Sequence, residues 1–145
     1  MIEIDVSKVF KRLSHIETGL TNYTPLNILL AQTLLNETKL NFMNEGRPAW
    51  AALSERTLAR RGSASAKLRV SDTLYNSIQA FHSSDEAGVG TNVVHGPTHQ
   101  YGDPERNIPA RPYFPITSDG KLTPEAEVSL GDVMHLYLTR LAGGK

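Results

Sequence analysis

The sequence predicts an α+β domain in which a small antiparallel sheet is packed by a long helix and a C-terminal helix. Three observations lead there. Thr24-Pro25 and Thr123-Pro124 each open an apolar pattern of helical period, and a hydroxyl followed by proline in the first turn is a strong helix start. Between them, residues 78–93 place two short runs around Ser84-Asp85-Glu86-Ala87-Gly88, the form of a hairpin and its turn. At 145 residues the chain can bury one core and is too short for two ordinary domains. We read a single domain over residues 1–145, with flexible loops near residues 61–69 and 102–107.

Val6, Phe10, Leu13, Ile16 and Leu20 recur at steps of three and four. They form one apolar stripe of a first helix that ends near Gly19. Residues 21–23 read as a turn. The second helix takes Thr24 as its N-cap, runs to about Glu45 and stops at Gly46. Roughly 21 residues rising about 1.5 Å each make a rod of about 30 Å. Leu26, Leu30 and Leu34 form one row, and Ile28, Ala31, Leu35 and Phe42 another. So wide an apolar arc belongs either to the central rod of the domain or to a helix partly covered by another subunit. Asn27, Gln32, Asn36, Glu37 and Lys39 interrupt it and argue against a membrane span.

Trp50, the only tryptophan, follows a turn set by Pro48. It reads either as a core plug closing the end of the long helix or as an interface anchor. Ser54 can cap a short helix through Arg61, and residues 62–67 are small and polar. Residues 73–83 lead into the first strand. Val89-Gly90-Thr91-Asn92-Val93 is the return strand, with Gly90 marking a bulge or a close backbone neighbour. Residues 94–101 suit a short helix that Gly96-Pro97 interrupts, and residues 102–107 are a polar loop. Residues 108–115 hold three prolines in eight positions. Their missing donors make the segment extended and bar it from a central strand, so residues 108–116 are placed along the sheet. Glu125 and Glu127 complement the dipole of the terminal helix. Its stripe of Ala126, Leu130, Val133, Tyr137 and Leu141 runs towards Gly143-Gly144.

Hydrophobic residues make up 39% and charged residues 21%, with 15 basic against 15 acidic. That balance fits a globular chain rather than a disordered or strongly nucleic-acid-binding one. Without cysteine, disulfides, thiolate nucleophiles, cysteine–zinc sites and iron–sulfur clusters are excluded. No apolar run approaches the roughly 20 residues that span a bilayer. Met1-Ile2-Glu3-Ile4-Asp5 lacks the basic-then-apolar form of a signal peptide. We therefore expect a protein made in the cytosol, with no address for export.

The zero net charge is unevenly spread. Residues 47–69 carry Arg47, Arg56, Arg60, Arg61, Lys67 and Arg69 against Glu55 alone, whereas residues 70–145 carry nine acids against five bases. The basic segment reads as a solvated loop, as a phosphate-contacting patch, or as one face of a head-to-tail self-association with the acidic half. The lack of interleaved aromatics weakens the phosphate reading relative to self-association.

The residues do not assemble a known catalytic pattern. His95 and His99 stand four apart, a metal-ligand spacing on a helix, but Gly96-Pro97 separate them and no third ligand or HExxH follows. His82-Ser83-Ser84-Asp85 has the residue types of a hydrolase triad without the spatial convergence or the G-x-S-x-G elbow. Gly88-Val89-Gly90-Thr91-Asn92 falls short of a dinucleotide fingerprint. The scattered carboxylates offer no pair in an apolar setting. We expect no catalytic residue, no metal and no cofactor.

Four islands in order nevertheless resemble one family. They are Glu45-Gly46-Arg47-Pro48-Ala49-Trp50-Ala51-Ala52-Leu53-Ser54 with Thr57; Leu74-Tyr75-Asn76-Ser77-Ile78; Val89-Gly90-Thr91-Asn92; and His99-Gln100-Tyr101-Gly102 followed by Ile108-Pro109-Ala110-Arg111-Pro112-Tyr113-Phe114. Across about residues 42–115 they are similar to the phage virion morphogenesis, or tail completion, proteins, a family that includes the G protein of Mu-like phages. The first and last islands are the specific ones. The chain departs from the family pattern at Asp72-Thr73, where Thr-Gly is usual, and at Val94-His95, where Tyr-Ala is usual.

The resemblance implies a structural protein of a contractile-tailed phage or prophage. Such a protein completes the tail or joins it to the head, commonly as a ring, with six subunits as one option. Its partners would be further copies of itself and the tail tube, tail terminator or head–tail connector proteins, with DNA contact through the ring lumen as an option and no membrane. Its place would be the virion tail or neck, and the host cytoplasm during assembly. The candidate partner-binding residues are Trp50, Arg56, Arg60, Arg61, His99, Gln100, Tyr101, Arg111, Tyr113 and Phe114. Arg111 either offers a bidentate guanidinium to a neighbour's carboxylate or pins the proline-rich arm to its own domain through an internal ion pair. His99, Gln100 and Tyr101 either meet a partner or satisfy backbone groups beside Gly102. Two alternatives remain: a nucleic-acid-binding module using Arg56, Arg60, Arg61, Lys67 and Arg69, and a hydrolase using His82 or His99.

Overall fold

The long helix sets the frame, because its apolar rows demand cover on several sides. The structure, a computed structural model, describes residues 6, 22–62 and 66–143. The expected helix over residues 6–20 lies outside the described residues apart from Val6, which is buried. In chain order the elements are α1 (Thr24–Met43), α2 (Glu55–Arg61), α3 (Thr73–Ser77), β1 (Gln79–His82), β2 (Ala87–Gly90), α4 (Gly96–Tyr101), a 3₁₀ turn (Pro104–Arg106) and α5 (Pro124–Gly143). The expected α+β class holds: the two strands pair antiparallel, and α1 packs against α5 and both strands.

Pro25 stands in the first turn of α1, as expected, but the Thr24 hydroxyl does not cap it. The helix begins one residue earlier, with Tyr23 as N-cap, and Asn22 Oδ1 accepts from Thr24 N–H at 3.0 Å. Leu26, Leu30 and Leu34 are fully buried. Four polar residues, Asn27, Glu37, Thr38 and Asn41, are buried as well, which the apolar rows did not announce. Each has an internal bond that permits its burial. Asn27 Nδ2 donates to Ser83 O at 2.8 Å, Thr38 Oγ1 to Leu34 O at 2.8 Å and Asn41 Nδ2 to Tyr113 O at 2.9 Å. Glu37 receives Arg47 at 2.7 Å and Ser129 Oγ at 2.6 Å, so one carboxylate ties α1 to the following turn and to α5.

After α1 the chain reverses through Glu45 (φ 51°) and Gly46 (φ 101°). A Cβ on Gly46 would lie 2.5 Å from Pro48 O and 2.5 Å from Trp50 Cδ1, so glycine is required here by dihedral and by space. The turn delivers Trp50 onto Phe42, edge to face at 5.7 Å. Phe42 also meets Tyr75 at 5.3 Å and Tyr113 at 5.4 Å, which makes it the hub of an aromatic core.

The hairpin is regular. Gln79 faces Gly90, Ala80 faces Val89, Phe81 faces Gly88 and His82 faces Ala87. The expected bulge at Gly90 is absent from this register. At Gly88 the Phe81 ring occupies the space a side chain would fill. Gly96-Pro97 does not interrupt the next helix but opens it, with the proline in the first turn of α4.

Among the described residues the sheet has two strands, and residues 108–116 pair with neither. Instead, buried Gln100 of α4 uses one oxygen to accept both Tyr113 N–H and Phe114 N–H at 3.0 Å. Arg111 N–H donates to His99 O at 2.7 Å, and Tyr113 Oη donates to Gly96 O at 2.9 Å. Proline removes the donors a ladder needs, and side chains from α1 and α4 satisfy what is left. At α5 the Thr123 hydroxyl accepts from Ala126 N–H at 3.4 Å, the expected cap, and Ala126 and Leu130 are buried against the core.

Candidate functional site: a cationic cleft beside the proline-rich arm

Ser54 caps α2 as expected, accepting Thr57 N–H at 3.2 Å. α2 buries no residue of its own, so it is a surface feature held by its cap and its neighbours. It forms one wall of a cleft of about 510 Å³. Arg60 and Arg61 come from α2, His95 and His99 from the start and middle of the α4 region, and Arg111 from the arm. Leu53, Leu68, Leu74 and Ile108 supply apolar lining. No carboxylate lines the cleft among the described residues.

The electrostatics follow from that composition. Burial pushes the His99 pKa below its ordinary 6.5, and the nearby His95, Arg111 and Arg61 push it further. His95 and His99 rings meet edge to face at 5.4 Å, and His99 Nδ1 is buried without a hydrogen-bond partner among the described residues. Burial, with Arg61 as a smaller contributor, also lowers the Arg111 pKa. The site holds like charge at close range and would gain from an anion.

The sequence-predicted residues separate into two groups. Trp50, Gln100, Arg111, Tyr113 and Phe114 are buried within the chain, and the bonds they make are internal. Trp50 Nε1 donates to Pro112 O at 2.8 Å, which favours the core-plug reading over the interface anchor. Arg111 is bidentate, but to two carbonyls rather than a carboxylate: Nε donates to Ala51 O at 2.9 Å and Nη2 to Ala52 O at 2.8 Å. It pins the arm to its own domain, with no ion pair among the described residues. Arg56, Arg60, Arg61 and Tyr101 are exposed, and His99 is half-buried. Of these, the cleft gathers Arg60, Arg61 and His99; Arg56 and Tyr101 do not line it.

The basic segment is also less uniform than its sequence. Lys67 pairs with Glu45 at 3.3 Å and donates to Trp50 O at 3.2 Å. Arg69 pairs with Asp72 at 2.8 Å and lies 4.1 Å from the centre of the Tyr75 ring, which Lys39 Nζ also approaches at 3.6 Å. Of the five cations of the nucleic-acid reading, Lys67 and Arg69 are ion-paired, and Arg56, Arg60 and Arg61 make no ion pair among the described residues. In the segment with triad residue types, Ser83 Oγ donates to Asp85 at 2.8 Å, a local turn contact rather than a relay through His82. Sequence reasoning set His95 aside with the metal reading and missed Glu37, Asn41 and Ser129. The Arg47-Pro48 pair beside the turn was the only local sign of that network.

The four motif islands meet in space. Trp50 reaches Pro112, Arg111 reaches Ala51 and Ala52, Gln100 reaches Tyr113 and Phe114, and Ser77 Oγ meets Thr91 Oγ1 at 2.6 Å. The motif is a set of mutual backbone clamps. Over residues 4–138 the chain matches the phage virion morphogenesis family.

The chain belongs to that family.

It is similar to Mu-like prophage FluMu G protein 2 of Haemophilus influenzae, 30% identical over 125 residues that cover 81% of this chain and 86% of that protein. No solved structure matches it. Family membership gives the chain a structural role in the phage virion. None of the described helices is long and apolar enough to cross a membrane. The island residues Trp50, Gln100 and Arg111 hold backbone groups of the chain itself.

Proposed function

We propose that this family member completes the phage tail or joins it to the head, as a ring of copies that docks onto tail tube, tail terminator or connector proteins in the virion. It acts by burying surface rather than by turnover. The observation that carries this is the split of unanswered charge. Arg56, Arg60 and Arg61 on α2 have no hydrogen-bond or ion-pair partner among the described residues, and neither have the exposed carboxylates Glu125, Glu127 and Asp132 on α5. Surfaces of opposite charge on one copy favour a heterologous contact, and heterologous contacts whose rotation closes form rings.

Sedimentation equilibrium of the purified chain tests the reading, alone and with the tail tube protein of the same phage. A multi-subunit mass, or a complex with the tube protein, is expected. A chain that stays monomeric at high concentration and binds no other virion component overturns it.

A further inference from the structure

The cleft beside the arm concentrates positive charge that the chain itself does not neutralise. Arg60, Arg61, His95, His99 and Arg111 line it without a carboxylate among the described residues. The guanidinium groups of Arg60 and Arg61 have no hydrogen-bond partner there, and His99 Nδ1 is buried and unpartnered. Leucines and Ile108 lie among these charges, so the cleft suits carboxylates presented together with aliphatic side chains. A nucleic-acid strand would call for a longer cationic track with stacking aromatics. No Phe, Tyr or Trp lines the cleft among the described residues.

The same chain displays a surface of the complementary kind. On α5, Glu125, Val128, Asp132 and Leu136 follow at steps of three, four and four, which puts them on one helical face. All four are exposed, Val128 to 63% and Leu136 to 51%. Glu125 and Asp132 make no ion pair among the described residues. Seven residues separate the two carboxylates, about 10 Å along the axis at about 1.5 Å per residue.

The geometry points to a head-to-tail contact in which the cationic cleft of one copy receives the acidic and aliphatic outer face of α5 from a second copy. This rests on the self-association reading above and assigns its two surfaces. Guanidinium groups of Arg60 and Arg61 meet the carboxylates of Glu125 and Asp132 with fork geometry, and Val128 and Leu136 enter against Leu68 and Ile108. Cleft and outer face lie on different elements, so every copy keeps one of each for the next neighbour.

Reciprocal charge reversal tests the assignment on the full chain. One variant carries Arg60→Glu with Arg61→Glu, and the other carries Glu125→Arg with Asp132→Arg. All four positions are exposed, and far-UV circular dichroism with a thermal melt checks that each variant is folded. Each variant alone presents like charge on both surfaces and should self-associate at least about tenfold more weakly than the parent chain. An equimolar mixture should associate to within about threefold of the parent, because each reversed surface then finds its opposite. Single variants that associate like the parent, or a mixture as weak as its components, overturn the cleft assignment while the parent's oligomer leaves the ring reading standing. A parent chain that is itself monomeric overturns the assignment, and the proposed function falls with it when the chain also binds no other virion component. Unchanged association of Arg60→Glu with Arg61→Glu, together with lost binding to a short DNA duplex, overturns the assignment in favour of phosphate contact.

Discussion

Glu37 is 6% exposed and its carboxylate serves two partners, Arg47 and Ser129, so its charge is structural. In Glu37→Gln the amide oxygen can still accept from Ser129, but Arg47 loses its counter-charge. Arg47's side chain is 23% exposed, so water compensates part of the loss. Urea unfolding should show a cost below the about 3–5 kcal/mol of breaking a fully buried pair. Trp50→Ala removes a ring packed on Phe42 and an N–H donor to Pro112, and should cost about 3–5 kcal/mol in the same measurement. His99 supplies a pH dependence. Its pKa is lowered on folding by burial and then by His95, Arg111 and Arg61. As pH falls below the ordinary 6.5 the unfolded chain takes up the proton first, so stability declines until the lowered folded value is passed. His99→Gln should flatten this part of the stability profile between neutral and mildly acid pH; an unchanged slope would assign the decline elsewhere.

At the scale of elements, short helices here depend on their caps. Ser54→Ala removes the side-chain acceptor of α2, worth about 1 kcal/mol. Because α2 buries none of its own residues, that loss should appear as faster amide exchange over residues 55–61 with little change in global unfolding. The α1–Trp50 turn behaves oppositely. Gly46→Ala forces a side chain into a φ of 101° and against Pro48 O, so the dihedral alone adds about 1–3 kcal/mol and the clash adds to it. Denaturant midpoints should fall accordingly. Caps, stripes and the hairpin were legible in the sequence because each depends on residues a few positions apart. Thr123, Ser54 and the first strand were read in this way, whereas the return strand, read at residues 89–93, runs Ala87–Gly90 and takes in two residues assigned to the turn. Gly96-Pro97 was misread as an interruption, although proline at a first turn starts a helix as readily as it breaks one. The sequence did not mark Gly88, whose side-chain space the Phe81 ring takes because register sets the two opposite each other.

For the whole molecule, salt separates the two kinds of contact. Three phosphate contacts through Arg56, Arg60 and Arg61 would lower DNA affinity about 40-fold over a fourfold rise in salt, from a slope near 0.9 per phosphate. Carboxylate contacts inside a partly apolar cleft are screened less, and the association constant should move less than about tenfold over the same range. Sedimentation at both salt concentrations reads the difference. The distribution of roles across the molecule supports this expectation. The motif residues Trp50, Gln100, Arg111 and Tyr113 hold the arm and the α1 turn together, and the exposed charges on α2 and α5 remain for other chains.

The sequence by itself determined the element types, the helix starts at Pro25 and Pro124, the hairpin, the split of charge and the family resemblance. These rest on period, cap chemistry and composition, which act over one or two turns of chain. Only the tertiary structure decided that Asn27, Glu37 and Asn41 lie inside, and that Arg111 grips two carbonyls. It also decided that Lys67 and Arg69 are neutralised while Arg60 and Arg61 share a cleft with His95 and His99. The physical reason is distance along the chain. A polar group's burial is settled by a partner up to 92 residues away, as Ser129 is from Glu37, and no local pattern records which partner the fold will bring.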